Sequence, residues 1–334
     1  MNLYICSTYY HVLITVLKSL NMKKKFDIAI TDYIPEHKAL VDRISRSTLF
    51  NQIIVLEQWI PRNRLECYFF GYLNVFNIEK KYGKLFEKYE EIYIYMDDIC
   101  FARYLKDKHI YYNLLEDGFD SFKVRKDSAY YYMVSRKLRF RDKVRNLLFK
   151  HNTQNYKYFF NCPYVKTIEL NDVKGTIFNE NDNRIIVLPR YMLFDKINDI
   201  NVNDVIKIFI DNTKILNEDN IALILTCCFF DDGYLNDIHE QVLLYKNICT
   251  YYKKIGYTPI IKPHPRDSID YTKCGLKAIN RFFPAELLRY LSIENIKKYV
   301  SIYSTSINNF PQSKVDYYES INEFYEIFNK SLLK

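Results

Sequence analysis

Two kinds of apolar pattern alternate along the chain. Short, nearly continuous apolar runs stand at Leu3–Cys6, Asp27–Thr31, Ile53–Leu56, Ile92–Met96 and Ile110–Leu115. Near 9–20, 35–46, 62–89 and 98–107 the spacing is helical and amphipathic. A strand apolar on both sides is covered on both faces, so such strands alternating with helices predict a parallel sheet sandwiched by helices. That is a Rossmann-like domain. The pattern restarts with strands at Ile185–Leu188, Ile221–Thr226, Thr258–Ile261 and Tyr299–Tyr303, and helices near 202–213, 234–254, 285–296 and 318–332. The polar stretch Asn171–Asn183, with Gly175, marks the expected boundary. The expectation is an α/β chain of two doubly wound domains, 1–175 and 184–334, with a ligand cleft between the C-terminal edges of their sheets.

Composition supports a folded chain. The 334 residues suffice for two domains, and 49% hydrophobic with 26% charged residues argues against disorder. A net charge of +8 fits an anionic partner without choosing among nucleotide, acidic glycan, nucleic acid and membrane. None of the eight cysteines forms a C-x-x-C pair, and several lie in apolar runs, so they read as reduced thiols of a cytosolic protein. The apolar start lacks the early basic residues of a signal peptide, and no run of 18 uncharged apolar residues predicts a membrane span. The segment Ser135–His151 carries Arg136, Lys137, Arg139, Arg141, Lys143, Arg145 and Lys150 against the single acid Asp142. It reads as a basic amphipathic helix, either a solvated cover for the core or a peripheral contact with an anionic membrane or acceptor.

Three clusters follow predicted strands, where open α/β sheets bind ligands. Glu116-Asp117-Gly118 sets a carboxylate on a turn, suited to taking a proton from a hydroxyl. Lys262-Pro263-His264-Pro265-Arg266-Asp267 mounts an imidazole on stiff backbone between two cations, which suits a phosphate. Tyr303-Ser304-Thr305-Ser306 places hydroxyls where a helix would begin, a site for capping or for an anion. A second acidic turn, Asp231-Asp232-Gly233, competes with Asp117 for the base role. Glu286, behind Pro284, could accept both hydroxyls of a ribose. Read plainly, each is also an ordinary turn or cap. The chain has no G-x-G-x-x-G, P-loop, D-x-D, G-x-S-x-G or H-E-x-x-H, which weakens dinucleotide, NTPase, metal-dependent transferase, hydrolase and zincin readings.

The order of these clusters resembles the bacterial sialyltransferases of GT-B type, and the context is most similar to glycosyltransferase family 52. The resemblance rests on the opening Leu3-Tyr4-Ile5-Cys6-Ser7-Thr8, on Asp231-Asp232-Gly233, on Lys262–Asp267 and on Pro284-x-Glu286-Leu287-Leu288. It departs at Tyr9-Tyr10-His11, where a Pro-Leu-Gln-like run is expected, and at 304–306, which reads Ser-Thr-Ser. The implied fold is GT-B-like, with an N-terminal acceptor domain and a C-terminal donor domain facing a central cleft. The implied reaction is inverting transfer of sialic acid from CMP-sialic acid to a galactoside of lipooligosaccharide or capsule, with no metal or other cofactor. Asp117 or Asp232 would be the base, and His264 the acid or phosphate ligand. Lys262, Pro265, Gly233, Ser304, Thr305, Ser306 and Glu286 would hold the donor, and Thr8, His11, Glu116 and Gly118 would lie on the acceptor or sialic-acid side. A cytoplasmic, peripherally membrane-bound homodimer is compatible with the resemblance, and no nucleic-acid partner is expected. The rivals are a GT-B enzyme using another nucleotide sugar and a non-catalytic protein binding anionic surfaces.

Overall fold

Strands buried on both faces can satisfy their backbone only by pairing with one another. In the computed structural model they do so in two parallel sheets, within two compact units, Met1–Asn201 and Val202–Lys334. The structure describes residues 1–22, 25–60, 62–63, 65–66, 69–97, 99–118, 140–149, 162–176, 178–195, 197, 199–209, 218–290, 293–303, 307 and 310–332.

Among the described residues the first sheet has seven strands: β1 (Asn2–Cys6), β2 (Asp27–Thr31), β3 (Ile53–Leu56), β4 (Glu91–Ile94), β5 (Tyr112–Leu115), β6 (Val165–Leu170) and β7 (Ile185–Val187). Their order is β3-β2-β1-β4-β5-β6-β7. Among the described residues, helices α1 (Tyr9–Asn21), α2 (His37–Ser45), α3 (Phe70–Phe86), α4 (Cys100–Asp107), α5 (Phe140–Phe149) and the short α6 (Arg190–Phe194) belong to this unit, and α7 (Asp199–Phe209) carries the chain into the next. Leu3, Ile5, Ile94 and Leu114 are fully buried in one core, each contributing roughly 1.5–3 kcal/mol. The second sheet, β8 (Ile221–Leu225), β9 (Thr258–Lys262), β10 (Ile296–Ile302) and β11 (Val315–Tyr318), runs β11-β10-β8-β9. Helices α8 (Ile238–Lys254) and α9 (Ile321–Leu332) pack on it, around Ala222, Ile224, Val300 and Phe324.

The expected boundary is displaced. Asn171–Asn183 is a connection inside the first unit, because Ile168 pairs with Ile185 and extends the first sheet. Val173 and Phe178 tie that loop to the first core. The strand expected to open the second domain therefore closes the first. The helix expected at 285–296 is two short 3₁₀ turns, Ala285–Tyr290 and Ile293–Asn295, followed by β10. Pairing of Ile296 with Ile221 in the sheet overrides the helical spacing there. In the first sheet β1 lies between β2 and β4, and in the second β8 lies between β9 and β10. Such strand reversals open crevices at the strands' C-terminal ends, where α/β folds bind ligands. No described helix is long and apolar enough to cross a membrane.

Candidate functional site

In the first unit the site begins at the β1–α1 turn. Thr8 is the N-cap of α1, its hydroxyl accepting the His11 N–H at 3.1 Å. The His11 side chain folds back, and its Nδ1 accepts the Ser7 N–H at 3.1 Å. The pair resembles a capping box, but an imidazole replaces the usual Glu or Gln and it accepts from the residue before the N-cap. A nitrogen that accepts carries no proton, so the proton of the neutral ring sits on Nε2. Nε2 donates to Asp117 Oδ1 at 2.6 Å and lies 3.1 Å from the Asp117 carbonyl oxygen. The His11 ring is fully buried and stacks on Tyr95, with centroids 4.3 Å apart. The Tyr95 hydroxyl is held by Thr15 at 2.9 Å, one turn further along α1.

Asp117 stands just beyond β5, and its side chain is 43% exposed. Behind it lies a buried cluster of balanced charge. Glu169, on β6, accepts from Lys18 Nζ at 2.6 Å and from Arg190 Nη1 at 2.8 Å. Glu116 accepts the Asn171 N–H at 2.6 Å and lies 4.0 Å from Arg190 Nη2. Burial pulls the Lys18 ammonium below its usual value, and Glu169 opposes that shift. Glu116, expected on the acceptor side, is buried in this support, so it cannot meet a substrate directly. Gly118 has ordinary backbone, and no described residue lies where a Cβ on it would stand. Sequence reasoning missed Lys18, Glu169 and Arg190. The legible signal was a lone cation in the apolar helix YYHVLITVLKSLN and a lone acid near the end of the strand VKTIEL, since charges in such places must pair.

In the second unit β9 ends at Lys262, and His264 follows on a braced turn. The His264 N–H donates to Thr226 Oγ1 at 2.9 Å, and the Thr226 hydroxyl donates to Asp267 at 2.8 Å. Buried Asp267 also accepts from Tyr271 and Gln241, fixing the whole Pro-His-Pro segment. His264 Nδ1 accepts the Arg266 N–H at 3.2 Å and lies 3.4 Å from Cys228 Sγ. This leaves Nε2 as its donor. Burial first, then the charges of Arg266 and Lys262, lower the His264 pKa to about 4. The ring is neutral near pH 7.

Lys262 corrects an expectation. Its buried ammonium is turned inward, donating to the carbonyls of Pro263 at 2.7 Å and Arg281 at 2.9 Å, so it braces the loop instead of facing a phosphate. Burial lowers its pKa to about 7. Burial raises the Glu286 carboxyl above its ordinary value, and Lys262 opposes the shift. Glu286 sits on a half-buried 3₁₀ turn. Pro265 is exposed. Asp232 is engaged by Arg266, whose Nη1 and Nη2 lie 3.2 and 3.4 Å from its two oxygens. Gly233 adopts φ +78°, the left-handed backbone that this turn requires. Tyr303 closes β10 at φ +67°, a strained value for a bulky residue. Ser304, Thr305 and Ser306 lie outside the described residues, as do 135–139 and 150–151 of the basic segment. Within α5, Phe140, Leu147 and Leu148 are exposed.

No protein-family model matches the chain. An uncharacterised protein of Haemophilus influenzae is 30% identical over 89 residues, 26% of this chain and 28% of that protein. The match thus spans little more than a quarter of that relative. The 2,6-sialyltransferase of Photobacterium sp. JT-ISH-224, solved with the donor product CMP and the acceptor lactose, superposes with a TM-score of 0.52 at 12% identity, covering 95% of this chain and 70% of that one. The chain has the fold of that sialyltransferase: GT-B-like, with two parallel α/β sheets. The sialyltransferase of Photobacterium damsela gives a TM-score of 0.49 at 13% identity, over 94% of this chain and 72% of its own.

Proposed function

We propose that this chain is an inverting, metal-independent sialyltransferase that moves sialic acid from CMP-sialic acid to a galactoside of a surface glycan, of the lipooligosaccharide or capsule class. The fold it shares with an enzyme solved with CMP and lactose supports the reading. The observation that carries it is His264, pinned through N–H and Nδ1 so that Nε2–H is its one donor, beyond the end of a parallel strand.

The donor phosphate belongs at His264 and Ser304–Ser306, and the ribose at Glu286. Asp117 is the base, because one of its oxygens is fixed by His11 while Oδ2 takes no hydrogen bond from any described residue. Asp232 already holds a guanidinium with both oxygens, so neither oxygen is left without a partner as Asp117 Oδ2 is among the described residues. The acceptor hydroxyl gives its proton to Asp117 Oδ2, and its oxygen bonds to the anomeric carbon. The bond from that carbon to the CMP phosphate oxygen breaks, and the phosphate keeps the electron pair. His264 donates a hydrogen bond to that oxygen and does not surrender a proton, since protonating Nδ1 would break its contact with the Arg266 N–H. A general base is worth about 10²–10⁴-fold, and a fixed donor to developing charge roughly 2.7–4 kcal/mol. The basic segment 135–151, with the exposed apolar residues of α5, is the part of this reading that would meet an anionic membrane.

The test is product formation from CMP-sialic acid and lactose in EDTA, read by mass spectrometry beside UDP- and GDP-sugars. Sialyllactose from the CMP donor alone is the expected result. Transfer from a UDP- or GDP-sugar, or loss of turnover in EDTA, overturns the reading.

A further inference from the structure

We infer that His11 is a positioning residue for Asp117, its tautomer set by a backbone N–H so that it holds one carboxylate oxygen and, among the described residues, leaves the other open. The inference rests on the reading of Asp117 as the base. Three contacts fix the imidazole, and a fourth fixes its backbone. The Ser7 N–H enters Nδ1 at 3.1 Å, Nε2 reaches Asp117 Oδ1 at 2.6 Å, Tyr95 lies parallel to the ring at 4.3 Å, and the His11 N–H is capped by Thr8 at 3.1 Å. The first contact decides the chemistry. A backbone amide cannot change its role, so Nδ1 remains an acceptor and Nε2 a donor. His11 therefore cannot take the proton that Asp117 receives; it orients the carboxylate and stays bonded throughout.

The ring is fully buried while Asp117 is 43% exposed. A substrate can meet the carboxylate without meeting His11. This moves His11 from the substrate-contact role implied by resemblance to a role one residue behind the reacting atoms. The alignment matters because a displacement of about 1 Å at a reacting group can cost on the order of 10²-fold in rate.

Two substitutions separate orientation from bulk. His11→Leu fills the space without a donor. His11→Gln keeps a side-chain N–H able to reach Asp117. With CMP-sialic acid and lactose as substrates, His11→Leu should lower kcat about 10²-fold with KM for the donor changed by less than about threefold, and His11→Gln should recover most of the loss. Thermal melting confirms that both variants are folded. A folded His11→Leu with unchanged kcat, or a His11→Gln as slow as His11→Leu, overturns the inference. A second arm does not depend on the transferred sugar. In ¹⁵N-histidine NMR of the wild-type chain, His11 should be the Nε2–H tautomer with a hydrogen-bonded proton that moves upfield in Asp117→Ala. An Nδ1–H tautomer, or a resonance indifferent to Asp117→Ala, contradicts it. If the wild-type chain transfers no sialic acid, the functional reading fails, and this spectrum still decides whether the pair exists.

Discussion

Glu116-Asp117-Gly118 and Asp231-Asp232-Gly233 are nearly the same three residues, each placed after a buried parallel strand, yet their surroundings give them different chemistry. Asp117 has one oxygen held by a neutral, fully buried imidazole. Asp232 faces an exposed guanidinium with both oxygens. Behind the first turn stands a buried set of two cations and two carboxylates; behind the His264 loop stands Asp267 with hydroxyl and amide donors from Thr226, Tyr271 and Gln241. Gly233 needs left-handed backbone and Gly118 does not. An acidic turn is thus a position for chemistry, and the residues packed against it decide which carboxylate oxygens are already engaged.

The largest effect should come from the support of the first turn. Removing one partner of a buried charge network leaves the others uncompensated, so Glu169→Ala should destabilise the first unit by about 3–5 kcal/mol. Urea unfolding reads this directly, and a loss under about 1 kcal/mol would mean that the cluster is not a support. A smaller effect belongs to the second unit and depends on pH. His264 has an ordinary value of 6.5 and a folded value of about 4. Between these the unfolded chain binds more protons, so this contribution is present above 6.5 and is lost as pH falls toward 4. Partial exposure of the ring limits it to on the order of 1–2 kcal/mol. His264→Gln should flatten that slope in melts taken across the window, and an unchanged slope would assign it elsewhere. The smallest contrast is between the glycines. Gly233→Ala should cost about 1 kcal/mol for placing a side chain at positive φ, and Gly118→Ala close to nothing. Equal costs would remove the backbone part of the comparison.

Much of the fold was legible because strands buried on both faces announce themselves. Four of the first five predicted strands and the core of the fifth fall in the first sheet as expected, and Ile221–Thr226 and Thr258–Ile261 mark β8 and β9. What the pattern could not carry was competition between local and distant partners. The polar loop 171–183 looks like a linker until Ile168 pairs with Ile185, and 285–296 looks helical until Ile296 joins β8. The candidate site was legible as residue types at strand ends, Asp117 and His264 among them. Their connections were not. The inward turn of Lys262 depends on carbonyls at Pro263 and Arg281, and the contact of His11 with Asp117 spans 106 positions of sequence.

The central claim is that Asp117, and not Asp232, takes the acceptor's proton. Comparing kcat of Asp117→Asn and Asp232→Asn for transfer from CMP-sialic acid to lactose tests it most directly. Asp117→Asn should lose about 10²–10⁴-fold and Asp232→Asn less than about threefold. Normal turnover in Asp117→Asn, with collapse in Asp232→Asn, would contradict the account.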